Sequence, residues 1–297
     1  MKVQKKIKTE LTGWLFIAPQ MVLFLVFMVY PLIQGFYMST FKTGLNPNMK
    51  KYVALGNYIE LLNDDLFLKA VSNTVLYTIC VTTLTIVTAV FISSAIFDKS
   101  SRYMSFVRGS TYVPVLMTMV AFSIVCKWLL NPSYGLINYY IARAGGERYN
   151  ILGQANTARA TLIIIIWLFN LGQSVILLVA AMLGIPKDMM EAAEIDGASR
   201  IQIIKRILIP LVKPTIFYII IMLIIDIMKV FLAISLMTGG GPNFGTTSLM
   251  YLCYEYAFVR SNMGKASAIG VIMFLISIIL SVIQFRLFGI GSKDKGE

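Results

Sequence analysis

The sequence predicts an all-α integral membrane protein with six transmembrane helices. Hydrophobic residues make up 58% of its 297 residues and charged residues only 13%, which lies outside the usual range for soluble globular domains. Six apolar stretches are each long enough, at about 20 residues, to cross the hydrocarbon core of a bilayer as a helix. These stretches are 14–38, 71–97, 112–130, 161–183, 216–237 and 268–288.

The first stretch is interpreted as a retained span rather than a secretory signal. Lysines precede it, but it runs far beyond a signal core, and Pro19 and Pro31 interrupt it. If the amino terminus is cytoplasmic, Lys and Arg are more numerous on the cytoplasmic side, as the positive-inside rule requires. Both termini are therefore expected in the cytoplasm. The chain then comprises a tail (1–13), one transmembrane domain (14–290) and a second tail (291–297).

The composition argues against catalysis, metal binding and nucleic-acid binding. The net charge of +12 arises from Lys and Arg that punctuate apolar runs rather than cluster on one face, so we expect a lipid bilayer and no nucleic acid as the partner. Cys80, Cys126 and Cys253 are isolated from one another in the sequence. There is no His, which removes the commonest general base and the commonest metal ligand. We expect no catalytic site and no metal site.

The segment between the fourth and fifth stretches, 185–210, predicts two short helices on the cytoplasmic side. Pro186 suits the first helical position, and acidic residues in the following turns favour the positive end of the helix dipole. Gly197 is a natural left-handed stop, and Ser199 can cap a second, basic segment. Taken alone, such a pattern is also typical of an ordinary helical hairpin between spans.

The full spacing of this loop is more specific. Glu-Ala-Ala is followed by Asp-Gly-Ala and then by an apolar and basic helix that closes in Ile-Pro. It resembles the Glu-Ala-Ala loop of the membrane subunits of binding-protein-dependent ABC importers. The matching residues are Glu191, Ala192, Ala193, Asp196, Gly197, Ala198 and Pro210. A small departure is Ile209, which stands where leucine is common.

The resemblance extends over most of the chain. It includes the Gly56-Asn57-Tyr58 pattern, the Asn73-Thr74 pair at the beginning of the predicted second span, and the glycine-rich turn that ends in Pro242. That turn, Met237-Thr-Gly-Gly-Gly-Pro, is similar to the carbohydrate branch of the family. From its residues alone, it indicates only a sharp turn outside the fifth span.

The resemblance implies the type I ABC importer permease fold and a set of partners. The loop is then the coupling helix that docks on an ATP-hydrolysing subunit. ATP and Mg²⁺ would be bound by partner subunits, with no cofactor on this chain. The expected partners are a second, homologous permease subunit in a heterodimer, two ATP-binding-cassette subunits and an extracytoplasmic sugar-binding protein. The expected substrate is a sugar, in particular an oligosaccharide.

Polar residues inside the fourth stretch are candidates for the substrate site. Asn170 and Gln173 are three residues apart and so share one helical face, with Phe169 beside them. Amide groups and aromatic faces suit hydroxyl-rich sugar rings, and by resemblance to the maltose importer these three positions contact sugar. The alternative is that the amides bond to a neighbouring helix and only hold the bundle together.

Two charges in the fifth stretch are further candidates. Asp226 and Lys229 are three residues apart, and an isolated charge inside a span costs roughly 2.5–3.5 kcal/mol on insertion scales. They are therefore expected either to neutralise each other or to line the sugar site, where the resemblance places them. A Lys229 without an ion pair would favour an acidic or phosphorylated sugar.

Two other classes fit the sequence less well. An ion-coupled secondary transporter would explain six spans and intramembrane charges, but it leaves the Glu-Ala-Ala loop unexplained, and no inverted repeat is apparent. An intramembrane enzyme would need a catalytic constellation, and the sequence has neither a Gly-x-Ser-x-Gly elbow nor paired intramembrane aspartates. The sequence also lacks a phosphate-binding loop, so any ATP must be bound by another subunit.

Overall fold

The computed structural model describes residues 14, 16–43 and 50–288 and is built almost entirely of helices. The predicted tails 1–13 and 291–297 lie outside these residues, and the single transmembrane domain over 14–290 stays a prediction. The described elements are α1 (Phe16–Ser39), β1 (Phe41–Thr43), β2 (Lys50–Tyr52), α2 (Gly56–Leu62), α3 (Asp65–Ile96), α4 (Ser101–Leu116), α5 (Met119–Leu129), α6 (Leu136–Arg143), α7 (Ala155–Leu183), α8 (Lys187–Ile195), α9 (Arg200–Met228), α10 (Leu232–Met237), α11 (Leu249–Val259) and α12 (Met263–Phe288).

Five of these helices, α1, α3, α7, α9 and α12, are long and apolar enough to cross a membrane. The helices α4 and α5 pass the same test only as a pair, because they are bent by 95° at the residues between them. If this pair is one broken span, the described residues contain the six spans that the sequence predicts.

The third predicted span is therefore one apolar stretch but not one helix. Helix α4 begins at Ser101, before the predicted stretch, and ends at Leu116, two residues after Pro114, which cannot donate a helical hydrogen bond. The extended residue Met117 follows. Thr118 then caps α5, since its Oγ1 accepts a hydrogen bond from the Ala121 amide at 3.2 Å. Local capping and a proline thus override the continuous hydrophobicity.

The fifth predicted span also differs from the structure. Helix α9 begins at Arg200, so the second segment of the loop 185–210 continues directly into the span, with a π turn at Ile204–Leu208. The helix ends at Met228 rather than at residue 237, and Lys229 is its carboxyl-terminal cap. The apolar run beyond it forms the separate short helix α10.

The described residues form two compact units. The first contains the described part of Met1–Asn63 together with Cys253–Leu275. In it, β1 and β2 pair antiparallel, with Phe41 opposite Tyr52. Asn57 Nδ2 donates hydrogen bonds to the carbonyls of Ser39 at 2.7 Å and Phe41 at 2.9 Å. Asn57 of the Gly-Asn-Tyr pattern therefore ties the end of α1 to α2.

An ion-pair cluster is also part of the first unit. Glu60 Oε1 lies 2.8 Å from Lys42 Nζ, and Glu60 Oε2 lies 2.9 Å from Lys265 Nζ. The hydrogen bonds from Lys42 and Lys265 hold the pKa of the Glu60 carboxyl below its usual value. One carboxylate thus joins the strand β1, the helix α2 and the first turn of α12.

The second unit contains Asp64–Leu252 and the described part of Ile276–Glu297. Its centre is the pair α3 and α7, on which α4 and α9 also pack. Fully buried apolar side chains on α3 and α7, such as Tyr77, Val81, Leu162 and Leu178, form the core. A Cβ on Gly172 of α7 would lie 2.4 Å from the Thr111 carbonyl oxygen. Glycine is therefore required where α4 crosses α7.

Candidate functional site

Helix α8 carries the Glu-Ala-Ala residues, and its end is defined by hydrogen bonds and by glycine. The Gly197 amide donates to the Glu194 carbonyl at 3.0 Å, and the Ala198 amide donates to the Ala193 carbonyl at 2.9 Å. Gly197 has φ +77°. These bonds and this angle are those of a Schellman motif, which confirms the left-handed stop predicted at this glycine. At the other end, Pro186 is the cap residue, one position before the predicted start.

The surface of α8 is open. No residue of Lys187–Ile195 is buried, and the apolar side chain of Ile195 is 87% exposed. Ala192 is exposed, while Ala193 and Ala198 are half-buried. This helix of nine residues packs on the core only through partly buried side chains, those of Met190 and Ala193. Its alanines leave one side low enough for another surface to approach closely.

The loop that follows α8 is held in place from both ends. The Ser199 amide donates to Gln202 Oε1 at 2.7 Å, which confirms Ser199 as the cap of the second segment. Arg200 Nη2 donates to Asp98 Oδ1 at 2.8 Å and to the Ala95 carbonyl at 3.1 Å, beside the end of α3. Arg200 therefore joins the start of α9 to the second span.

A cavity of about 540 Å³ lies next to α8. Its walls come from the end of α3, the first turns of α4, the end of α7 and α8 itself, including Glu191 and Glu194. Both signs of charge line it, since Lys99 and Arg108 face the same space as these two carboxylates. Beside this cavity, α8 contacts the core through the half-buried side chains of Met190 and Ala193.

The candidate substrate residues of the fourth span lie on α7. The Phe169 ring lies 5.8 Å from the Phe122 ring of α5, measured between centroids. Asn170 is half-buried, and its Nδ2 donates to the Ile166 carbonyl of its own helix at 2.8 Å. Gln173 is exposed. The structure therefore shows Asn170 bonded within α7, and the role of all three residues in sugar binding stays a prediction.

Asp226 and Lys229 lie at the end of α9, and the ion pairs found among the described residues include neither of them. The expected mutual neutralisation is therefore not observed. Lys229 is exposed. Because it caps the helix that ends at Met228, this charge stands at a break in the fifth span. Irregular backbone at membrane depth is tolerated where it lines a cavity or is buried in protein.

The glycine-rich turn continues into the loop Thr238–Ser248, in which Gly240 and the last three residues are buried. The sequence reveals this loop only as a turn. Asn73 Nδ2 donates to the carbonyls of Gly245 at 2.9 Å and Thr247 at 3.1 Å. The Tyr77 hydroxyl donates to the Thr246 carbonyl at 3.0 Å. Asn73 lies inside α3, which begins at Asp65 and therefore starts before the predicted stretch 71–97. This side chain is therefore a structural clamp on the loop.

Further contacts complete the loop. Thr246, Thr247 and Ser248 are fully buried, and Ser248 Oγ donates to the Val230 carbonyl at 2.7 Å, beside the end of α9. Arg159 of α7 donates from Nη1 to Asn73 Oδ1 at 3.4 Å. The sequence signal that could have identified Asn73 as a partner of this loop was the similarity of Asn73-Thr74 to the permease pattern.

Two threonines of the second span have local partners. Thr78 donates to the Thr74 carbonyl at 2.7 Å and Thr88 donates to the Leu84 carbonyl at 2.6 Å, which are bonds to the preceding helical turn. Thr88 Oγ1 also accepts a hydrogen bond from Trp167 Nε1 at 3.0 Å. The Thr88 hydroxyl therefore joins α3 to α7, whereas the Thr78 hydroxyl is satisfied within α3.

The family model described as "Binding-protein-dependent transport system inner membrane component" matches residues 81–288. The multiple sugar-binding transport system permease protein MsmF of Streptococcus mutans is 33% identical over 95% of this chain and 97% of its own length. The sn-glycerol-3-phosphate transport system permease protein UgpA of Agrobacterium fabrum is 28% identical over 93% of this chain and 94% of its own length.

Solved structures give the same fold. A chain of a bacterial ABC transporter involved in the import of the acidic polysaccharide alginate matches with a TM-score of 0.88 and 22% identity, over 99% of this chain and 100% of that chain. A bacterial alginate ABC transporter in complex with a periplasmic protein bound to an alginate pentasaccharide matches with a TM-score of 0.86 and 22% identity, over 97% of each chain. The predicted type I ABC importer permease fold is thereby confirmed.

Proposed function

The chain belongs to the family of binding-protein-dependent transport system inner membrane components, and on that premise we propose that it is a permease subunit of a sugar importer. It is a non-catalytic membrane subunit, as the family implies. The observation that carries the proposal is the match over residues 81–288, which includes the loop 185–210. Membership of this family leaves the ion-coupled alternative without support.

Helix α8 is the proposed docking element for an ATP-binding-cassette subunit. The support is the open surface of α8 and the Schellman motif that ends it at Gly197. The pair Arg200–Asp98 anchors the following helix, α9. Such a helix can follow a partner surface while its ends transmit the movement to α7 and α9. We expect Glu191, Ala192, Ala193, Asp196, Gly197 and Ala198 to be at this interface.

The assembly around the chain is part of the same proposal. The chain pairs with a second, homologous permease subunit, two ATP-binding-cassette subunits supply ATP and Mg²⁺ binding, and an extracytoplasmic binding protein delivers the substrate. The loop 185–210 then faces the cytoplasm, and both termini lie on that side. Closure of the ATPase subunits would move α8 and switch the access of the site between the two sides of the membrane.

The proposed sugar site contains Phe169, Asn170 and Gln173 of α7, with Asp226 and Lys229 of α9. The support is the relation to a multiple-sugar permease together with the contact of the Phe169 ring with Phe122 of α5. A second candidate substrate is an acidic or phosphorylated sugar. It is favoured by Lys229, which is exposed and takes part in none of the ion pairs among the described residues.

The coupling role is tested in the complete complex reconstituted in liposomes. Gly197→Asp should abolish both substrate uptake and ATPase activity stimulated by the binding protein, because an L residue at φ +77° is strained and a side chain would project from the docking surface. The matched control is Gly184→Ala, since Gly184 has φ −76° in the same connection and tolerates a Cβ. Uptake that persists without any ATPase subunit would reject the importer.

The substrate site is tested separately with transport kinetics. Asn170→Ala should raise the KM for sugar uptake while basal ATPase activity and assembly are retained. Lys229→Gln should reduce uptake of an acidic sugar much more than uptake of a neutral one, if the substrate is anionic. Equal uptake by wild type and both variants would show that Asn170 and Lys229 are not part of the substrate site.

A further inference from the structure

A second groove on the larger unit is not used by the proposed function. It lies between the carboxyl-terminal turns of α3 and the first turns of α9, and its volume is about 610 Å³. Its walls are almost entirely apolar and include Val87, Val90 and Phe91 of α3 and Ile204 of α9. Both helices are membrane spans by length and composition. A groove between two spanning helices is accessible to lipid wherever no other subunit covers it.

Basic residues stand at one end of this groove. Arg200 lies beside the last turn of α3, where its Nη2 donates to the Ala95 carbonyl and to Asp98. Lys205 lines the groove about 8 Å further along α9, at the helical rise of about 1.5 Å per residue. A lysine of this kind can extend its ammonium towards the membrane surface while its methylene stem packs on the apolar wall.

The charges at this end are not balanced. Arg200 is neutralised by Asp98, whereas Lys205 is exposed and appears in none of the ion pairs found in the described part of the chain. Ser94 adds a polar group on the wall, because its Oγ is buried and has no hydrogen-bond partner among the described residues. An apolar channel with an uncompensated cation at its mouth is complementary to an anionic amphiphile.

We propose that this groove binds an anionic phospholipid, with an acyl chain between α3 and α9 and the headgroup phosphate on Lys205. Basic pockets between transmembrane helices are suited to anionic headgroups. A change of rotamer would let the Ser94 hydroxyl donate to an ester or phosphate oxygen of the lipid. The bound lipid would fill the space beside the Arg200–Asp98 pair. Only the assignment of this end to the cytoplasmic leaflet rests on the proposed function.

The proposal is tested by measuring the lipid that remains on the purified complex. The complex is extracted in mild detergent, exchanged into nanodiscs with equal phosphatidylglycerol and phosphatidylcholine, and analysed by native mass spectrometry. Wild type should retain phosphatidylglycerol in preference to phosphatidylcholine. Lys205→Gln should lower this retention about fivefold, the effect of one basic residue near a membrane surface.

Matched variants separate the site from general electrostatics and from misfolding. Arg206→Gln removes the same charge from the neighbouring position outside the groove and should leave retention unchanged. Val87→Trp fills the groove and should lower retention, whereas Leu84→Trp adds the same ring to an exposed position of α3 outside it. Each variant is compared only after intact assembly is confirmed by mass.

Three results would overturn the proposal. Equal retention of phosphatidylcholine would show an ordinary apolar lipid contact, and equal loss in Lys205→Gln and Arg206→Gln would show non-specific attraction. A disulfide or cross-link from Val87→Cys to another subunit would show that a protein helix occupies the groove. Failure of the proposed transport function would appear instead as absent uptake with lipid retention unaltered, because the lipid measurement needs no turnover.

Discussion

The loop that contains α8 joins the membrane helices α7 and α9, and the loop Thr238–Ser248 joins the short helices α10 and α11. The two loops are built in opposite ways. Helix α8 buries none of its residues, and the pair Arg200–Asp98 anchors the start of the next helix, α9, to the bundle. In the second loop, three consecutive side chains are fully buried, and their backbone is bonded by Asn73 and Tyr77. A loop whose polar groups are bonded within the chain needs no partner, whereas an exposed helix is available for contact with another subunit.

The same difference is visible at two glycines with nearly identical backbone angles. Gly197 has φ +77°, and a Cβ added there would meet no atom within 4 Å. Gly240 has φ +78°, and a Cβ there would lie 2.6 Å from the Tyr251 ring. At Gly197 only the backbone conformation requires glycine. At Gly240 both the conformation and the packing require it.

The largest effect is expected from Asn73→Ala. It removes the two hydrogen bonds that Asn73 donates to the carbonyls of Gly245 and Thr247 and the one that it accepts from Arg159. Each buried polar group left without a partner costs about 1–3 kcal/mol. The free energy of unfolding in mixed micelles, measured with denaturant, should fall accordingly. The control is Asn63→Ala, which removes a single exposed bond to the Ile59 carbonyl. An equal loss in both variants would contradict the role of Asn73 as a clamp.

A smaller effect is expected from a paired comparison of Gly240→Ala and Gly197→Ala. Both substitutions place an L residue at positive φ, which costs about 1–2 kcal/mol. Gly240→Ala should cost roughly 1–3 kcal/mol more, because a new methyl group is forced into a packed site. Thermal unfolding of the two variants gives the difference directly. If the two variants are equally stable, the loop Thr238–Ser248 is looser than the structure shows.

The smallest effect on stability is expected at the pair Arg200 and Asp98. Both side chains are more than one-third exposed, and exposed ion pairs contribute about 0.2–1 kcal/mol. A double-mutant cycle with Arg200→Gln and Asp98→Asn should therefore show a small coupling free energy of unfolding. The same variants should reduce ATPase stimulation by the binding protein much more strongly, since the pair anchors the proposed docking loop. A large stability loss without a loss of stimulation would reverse this assignment.

Much of the architecture could be predicted from local sequence. Apolar length predicted the spans, and Gly197 and Ser199 predicted the end of one helix and the start of the next, because capping depends on neighbouring residues. The breaks were not predictable by the same means. Hydrophobicity continues through most of 112–130 and 216–237, whereas the helices end at Leu116 and Met228.

The candidate site shows the same division. The sequence identified the exposed loop because its Glu-Ala-Ala and Asp-Gly-Ala spacing is a contiguous pattern, and it identified Asn170, Gln173, Asp226 and Lys229 because polar groups are rare in spans. It did not predict that Asp226 and Lys229 would form no ion pair, since a spacing of three residues places them on one face only where the helix continues. Helix α9 ends between them.

By itself, the sequence determined the membrane class, the approximate spans, the family and the residues of the Glu-Ala-Ala loop, because each depends on composition or on a contiguous motif. Only the tertiary structure decided the partners of Asn73, Tyr77 and Arg159, which are joined to residues far away in the sequence. The physical reason is that a buried polar group must find a hydrogen-bond partner. Which partner it finds is set by how the helices pack, and no local sequence pattern encodes contacts between residues so far apart in the chain.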